Sequence, residues 1–146
     1  MVIEENIALA PHTTLGVGGA ARWFTTIARE AQVPPAIEWA RQRGLPWLAL
    51  GGGSNLLVSD RGFAGLVLAV RIRGHRTWSL DAAQSAVEAG AGEDWDAFVA
   101  QCLAHNFSGL ECLSGIPGTV GATPVQNVGA YGQEVRDTIA MVRAWD

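Results

Sequence analysis

Between Val33 and Gly44 the apolar side chains of Val33, Ile37 and Ala40 recur on one stripe. Pro34 and Pro35 suit a first helical turn, so the pattern predicts a helix that Gly44, followed by Pro46, brings to an end. Trp47 to Leu50 is a short apolar run closing on three glycines, and Leu66 to Val70 is a second run of the same kind; both predict buried strands. The pattern weakens between Ala86 and Ala91. It returns from Asp94 to Asn106 as a helix with Trp95, Phe98, Val99, Cys102 and Leu103 directed at a core. Ile139 to Trp145 predicts a last strand, with backbone groups left open on at least one side and a tendency to self-association along that edge.

From Phe107 to Gly132 no apolar period survives. Glycines recur at 109, 115, 118, 121, 129 and 132, with Pro117 and Pro124 between them, which predicts irregular backbone. A loop of about 25 residues is uncommon in a compact domain unless it has a task. The order of strand, helix, two strands, helix, loop and strand fits a mixed α+β protein better than regular parallel units. A length of 146 residues suits one domain or part of one.

Composition narrows the function. Apolar residues make up 49% and charged residues 16%, the balance of an ordered chain. The net charge is −4 and the ten cationic residues are all arginines scattered along the sequence, so no nucleic-acid surface is expected. Two cysteines without a secretory signature point to a reduced, cytoplasmic setting with no disulfide. The acidic N-terminus is unlike a signal peptide, and no apolar stretch approaches a membrane span.

Two segments carry candidate chemistry. Gly51-Gly52-Gly53-Ser54-Asn55-Leu56-Leu57 directly follows a strand; its glycines let N–H groups converge on an anion, and Ser54 and Asn55 add neutral donors. A pyrophosphate fits such a loop, although neither standard nucleotide fingerprint is present and a tight turn is the plainer alternative. Ser114 to Ala122, running on through Pro124, Gln126, Asn127, Gly129, Tyr131 and Gly132, keeps one side of the backbone bare for a flat heterocycle. The alternative there is a structural Ω-type loop. His12, His75 and His105 show no metal-ligand spacing, and Cys112 has no evident base beside it, so neither a metal nor a catalytic thiol is expected. Glu93, Asp94 and Asp96 sit at a helix start, where the dipole favours carboxylates. The tryptophans read as core, except Trp39, which lies off its helix's stripe and calls for a cover from outside the chain.

Taken together, Thr13-Thr14-Leu15-Gly16-Val17-Gly18-Gly19, the loop from Gly51, and the long segment from Gly109 to Gly132 resemble the MurB-type reductase family of bacterial cell-wall synthesis. The resemblance implies the α+β FAD-binding fold of the vanillyl-alcohol oxidase and p-cresol methylhydroxylase type, with two subdomains holding the cofactor between them. The first would cover about residues 1–70 and the second, incomplete, about 71–146, with the substrate-binding domain absent. It implies that Gly51, Gly52, Gly53, Ser54, Asn55 and Leu56 bind the FAD pyrophosphate. Ile116, Pro117, Gly118, Thr119, Gly121 and Ala122, with Val125 and Gly129, would lie along the cofactor, and Asn127 and Tyr131 would face the substrate side. NADPH would be the hydride donor and UDP-N-acetylglucosamine enolpyruvate the substrate, in a full-length protein expected to be monomeric. The family's catalytic arginine, serine and glutamate motifs are not found here, so they are expected downstream of Asp146. Two other readings stay open: a stand-alone flavin-binding module, and an alcohol or sugar oxidase of the same fold. The oxidases often attach flavin through a His or Cys near the loop, and Gly51 to Leu57 has neither.

Overall fold

The computed structural model describes residues 1–145. Its backbone divides into two units, Met1–Ile72, to which Trp145 also belongs, and Arg73–Ala144.

In the first unit, β1 (Glu4–Ala8), β2 (Ala20–Ile27), α1 (Val33–Arg41), β3 (Trp47–Leu50) and β4 (Phe63–Val70) follow in order. The strands form one sheet in the order β1-β2-β4-β3, in which β1 is antiparallel to β2 while β2 and β3 run parallel to β4. β4 is a nearly unbroken apolar run because both of its faces are covered. Leu66 and Leu68 pack with Ile27 and with Ala36, Ile37 and Ala40 of α1, whereas Val67 and Ala69 pack with Leu9, Ala21, Phe24 and Leu50. Ala21 and Phe24 share a face despite their odd spacing because the register shifts between Ala21 and Trp23. The buried Thr25 hydroxyl is satisfied by donating to the Val2 carbonyl at 2.7 Å.

The sequence reading expected one strand before the helix without locating it, where β1 and β2 both stand, and it placed the helix end late. α1 stops at Arg41, and the amides of Gly44 and Leu45 close it onto the carbonyls of Arg41 and Ala40, with Gly44 at φ +61°. Trp39 needs no cover from outside, because Trp23 of β2 meets it edge-on at 5.3 Å and the Arg43 guanidinium lies 4.2 Å from its ring. Core packing holds for Trp95, 2% exposed, but not for Trp47, Trp78 or Trp145, 40%, 44% and 57% exposed.

The second unit contains β5 (His75–Ser79), β6 (Ser85–Ala89), α2 (Trp95–Ala104), β7 (Gly129–Ala130) and β8 (Gln133–Glu134). β5 and β6 form one antiparallel pair and β7 and β8 another. α2 begins at Asp94, whose carboxylate accepts the Ala97 amide at 2.9 Å, and ends where Asn106 turns to φ +60°. It buries Trp95, Phe98, Val99 and Cys102 against Leu113, Val128 and Val135; Leu103, placed on the same stripe by its spacing, is 39% exposed. The segment from 107 to 132 is irregular, as its glycines foretold, apart from single 3-10 turns and the β7 pairing. The strand expected from Ile139 to Trp145 is absent. Ile139 closes a turn by donating its amide to the Val135 carbonyl, and no described strand pairs with the residues after it. The edge on which self-association was expected is therefore not formed. No described helix is long and apolar enough to cross a membrane.

Candidate functional site

The loop from Gly51 to Leu57 leaves the carboxyl end of β3, the position at which open sheets with parallel strands present backbone to ligands. Its shape depends on the segment from His12 to Gly19. The Thr14 amide donates to the Gly53 carbonyl at 3.1 Å and the Gly19 amide to the Ser59 carbonyl at 2.9 Å. Gly53 is buried with φ +68°, and a Cβ there would run into the His12 carbonyl and the Thr13 Cα. Its lack of a side chain is thus required by packing. Gly52 and Asn55 are exposed, and Gly51, Ser54 and Leu56 are half-buried. No acidic residue occurs between Gly51 and Leu57. Arg71, just after β4, reaches the loop's first residue, its Nη1 donating to the carbonyls of Gly51 at 2.9 Å and Val70 at 2.8 Å.

In the second unit, Leu113 to Gly121 is fastened to the start of α2. The Trp95 indole N–H donates to the buried Leu113 carbonyl at 2.9 Å, and the Trp95 amide donates to the Gly118 carbonyl at 3.1 Å. The amides of Val120 and Gly121 donate to the carbonyls of Glu93 and Ala91, both at 2.9 Å. One oxygen of Asp96 accepts the Gly115 amide at 2.6 Å and the Ser114 hydroxyl at 2.8 Å. These two donors, the amide first, hold the Asp96 carboxyl below its ordinary range. The Gly74 amide and then Arg73 do the same for Glu93. The acidic cluster therefore does more than match the helix dipole: Asp94 caps the helix, Asp96 ties down the glycine-rich loop, and Glu93 anchors the turn before β5.

Of the residues expected along a cofactor, Pro117, Gly121, Val125 and Gly129 are exposed, while Ile116, Gly118 and Ala122 are half-buried. Thr119 is buried and bridges to Asp94 through its backbone. Asn127 has φ +45°; its Nδ2 donates to Glu134 at 2.7 Å and its Oδ1 accepts the Arg136 amide at 3.3 Å, so its side chain is occupied in bracing the β7–β8 hairpin. Tyr131 and Gly132, at φ +52° and +81°, form the hairpin tip, where Tyr131 is 93% exposed. His12 lies against Phe24 and His105 binds the Gln101 carbonyl. Among the described residues no set of His, Cys, Asp and Glu is arranged to hold a metal ion. Both cysteines are free, and burial pushes the Cys102 thiol up. Sequence reasoning passed over Arg71 and Asp96 as site residues. Arg71 belongs to no motif, and the only available signal was its place directly after an apolar strand.

Each segment has by itself a chemistry that fits part of a flavin dinucleotide: in the first unit a glycine-rich loop with a serine, an asparagine and no carboxylate is compatible with a diphosphate, and in the second a glycine-rich segment is compatible with a flat ring. Comparison with known proteins agrees. The FAD binding domain family matches residues 22–146. A UDP-N-acetylenolpyruvoylglucosamine reductase of Pseudomonas putida is 50% identical over 143 residues, which are 98% of this chain and 42% of that protein. Its counterpart in Thermobifida fusca is 46% identical over 97% of this chain and 40% of its own length. The crystal structure of UDP-N-acetylenolpyruvylglucosamine reductase (MurB) from Thermus caldophilus matches with a TM-score of 0.73 at 31% identity, over 94% of this chain and 46% of that one. The chain spans less than half the length of each of these relatives. With its α+β architecture and most of its residues matched, this chain belongs to the family of FAD-binding domains, and its likeness within that family is to the UDP-N-acetylenolpyruvoylglucosamine reductases.

Proposed function

We propose that this chain binds FAD without a covalent link, as the flavin-holding part of a cytoplasmic reductase. That reductase would use NADPH to convert UDP-N-acetylglucosamine enolpyruvate into UDP-N-acetylmuramate for peptidoglycan synthesis. The observation that carries this reading is the acid-free loop Gly51–Leu57 at the carboxyl end of a parallel strand, with an arginine bonded to its first carbonyl. In this reading the backbone N–H groups of Gly51 to Leu56, with Ser54 and Asn55, hold the phosphate oxygens. Ile116, Pro117, Gly118, Thr119, Gly121, Ala122, Val125 and Gly129 form a wall along the cofactor that keeps water from one side, and Asn127 and Tyr131 stand towards the substrate. FAD, when bound, would supply acceptance of hydride from NADPH and its delivery to the enolpyruvyl double bond. The acid that protonates the second carbon and the groups that stabilise the enolate-like intermediate are assigned outside residues 1–146.

Titration with FAD, followed by quenching of flavin fluorescence, tests the reading. The protein is expected to turn yellow, and acid or heat should release the flavin. Protein that stays colourless and quenches no flavin would remove it. The chain alone should show no substrate-dependent NADPH oxidation, because acid catalysis typically supplies about 10² to 10⁴-fold and electrostatic stabilisation a further ~10² to 10³-fold.

A further inference from the structure

The three parallel strands of the first unit end side by side, and Arg71 ties all three ends together. Its amide donates to the Ile27 carbonyl at the end of β2 at 2.8 Å, while its guanidinium donates to Val70 at the end of β4 and to Gly51 just past β3. The carbonyls of Ile27, Gly51 and Val70 are gathered around Arg71, and an anion settling in the adjoining loop would be favoured by a positive charge beside it. From Gly51 to Leu57 the sequence offers none.

Arg71 is half-buried and forms no ion pair among the described residues. This contrasts with Arg73, Arg76, Arg136 and Arg143, each paired with a carboxylate. A guanidinium withdrawn from water without a counter-charge is costly, and it cannot shed its proton. Both hydrogen bonds of its side chain leave from Nη1, so among the described residues the Nε and Nη2 donors are unspent. Those donors and that charge sit beside the glycine-rich loop.

We infer that Arg71 is the cationic member of the diphosphate site, fixing the loop through the Gly51 carbonyl while its charge and remaining donors favour a phosphorylated ligand over an uncharged one. The inference rests on the FAD reading above and adds to it the residue that discriminates for the diphosphate.

The test compares the wild-type chain with Arg71→Gln, which keeps an N–H donor but removes the charge, and Arg71→Lys, which keeps the charge. Each is titrated with FAD, ADP and riboflavin at low and high salt, after circular dichroism has established that the variant folds. Arg71→Gln should weaken FAD and ADP at least about tenfold, while Arg71→Lys stays within about threefold of wild type; riboflavin, which has no phosphate, should bind all three alike. Added salt should weaken FAD binding to the wild type more than to Arg71→Gln. Equal FAD affinity in wild type and Arg71→Gln would overturn the inference and leave the FAD reading standing. So would a Gln variant that loses FAD and riboflavin in equal measure, since Arg71 would then be only a brace. If Arg71→Gln does not fold, the Lys variant decides: near-native affinity that falls with salt supports the charge, and a tenfold loss with no salt dependence refutes it. A wild-type chain that binds neither FAD nor ADP would remove both readings together.

Discussion

The two glycine-rich loops look alike in sequence and are held by opposite means. The loop after β3 lies against the backbone of residues 12–19 and is bonded to an arginine. The loop from Leu113 to Gly121 is fastened to a helix start by the indole of Trp95 and the carboxylate of Asp96. In the proposed reading a cationic support beside the first loop favours phosphate, whereas the carboxylate that secures the second would disfavour it. Glycine content alone therefore says little about what a loop receives; the charge of the residue that secures it says more.

The comparison breaks most sharply within the first loop. Gly53→Val would drive a side chain into His12 and Thr13 at a positive φ, so urea unfolding should show the first unit destabilised by about 3 kcal/mol or more. Its neighbour Gly52 is exposed, and Gly52→Val should alter unfolding little while weakening FAD at least about tenfold by obstructing the approach of phosphate. Unchanged FAD affinity in that variant would make the loop a simple turn.

The second loop should respond to the loss of its anchors. Trp95→Phe keeps most of the buried ring but leaves the Leu113 carbonyl without its donor, which should cost about 1–3 kcal/mol in denaturant melts. A change below measurement error would mean that water replaces the indole. The smallest effect concerns pH. Asp96 has a depressed pKa in the folded chain, so its hold on the loop is complete above the ordinary carboxylate value of about 3.9 and is lost as pH falls through the lower folded value. The Gly115 amide resonance should therefore shift only below about pH 4 in wild type and not titrate with Asp96 in Asp96→Asn. A midpoint above that range would contradict the observed pairing.

Much of this was legible from local pattern. The stripe of α2, its Asp94 cap, the strand into Gly51 and the irregular stretch after Phe107 all depend on near neighbours in sequence, which is why spacing revealed them; that strand was expected to be buried, but it lies at the sheet edge with only Leu50 buried. β2 was hidden because its register shift breaks the two-residue alternation and its apolar side chains serve both faces of the sheet. β5 escaped because all five of its residues are exposed. The strand expected after Ile139 failed for the converse reason, since an apolar run becomes a strand only where a partner pairs with it. The FAD-binding family and its α+β fold were readable from long motifs, but the support of the loops was not. Arg71 reaches Gly51 across twenty residues and Asp96 reaches Gly115 across nineteen, and neither contact leaves a trace in local spacing.

The pairing of β2 with β4 also bears on how the chain acquires its shape. Residues 21–27 must find residues 63–70 across an intervening helix and strand before the sheet that supports the first loop exists. The β5–β6 hairpin, closed by a short turn, faces no such search. Closing a long loop costs entropy before its contacts reward it, so assembly of the parallel sheet should limit the rate at which the first unit forms, with the second unit's hairpin in place earlier. During that interval the apolar run of β4 lacks its partners, and association between chains competes with folding. Refolding yield should then fall as protein concentration rises, and a sequence change that speeds the meeting of β2 and β4 should recover it.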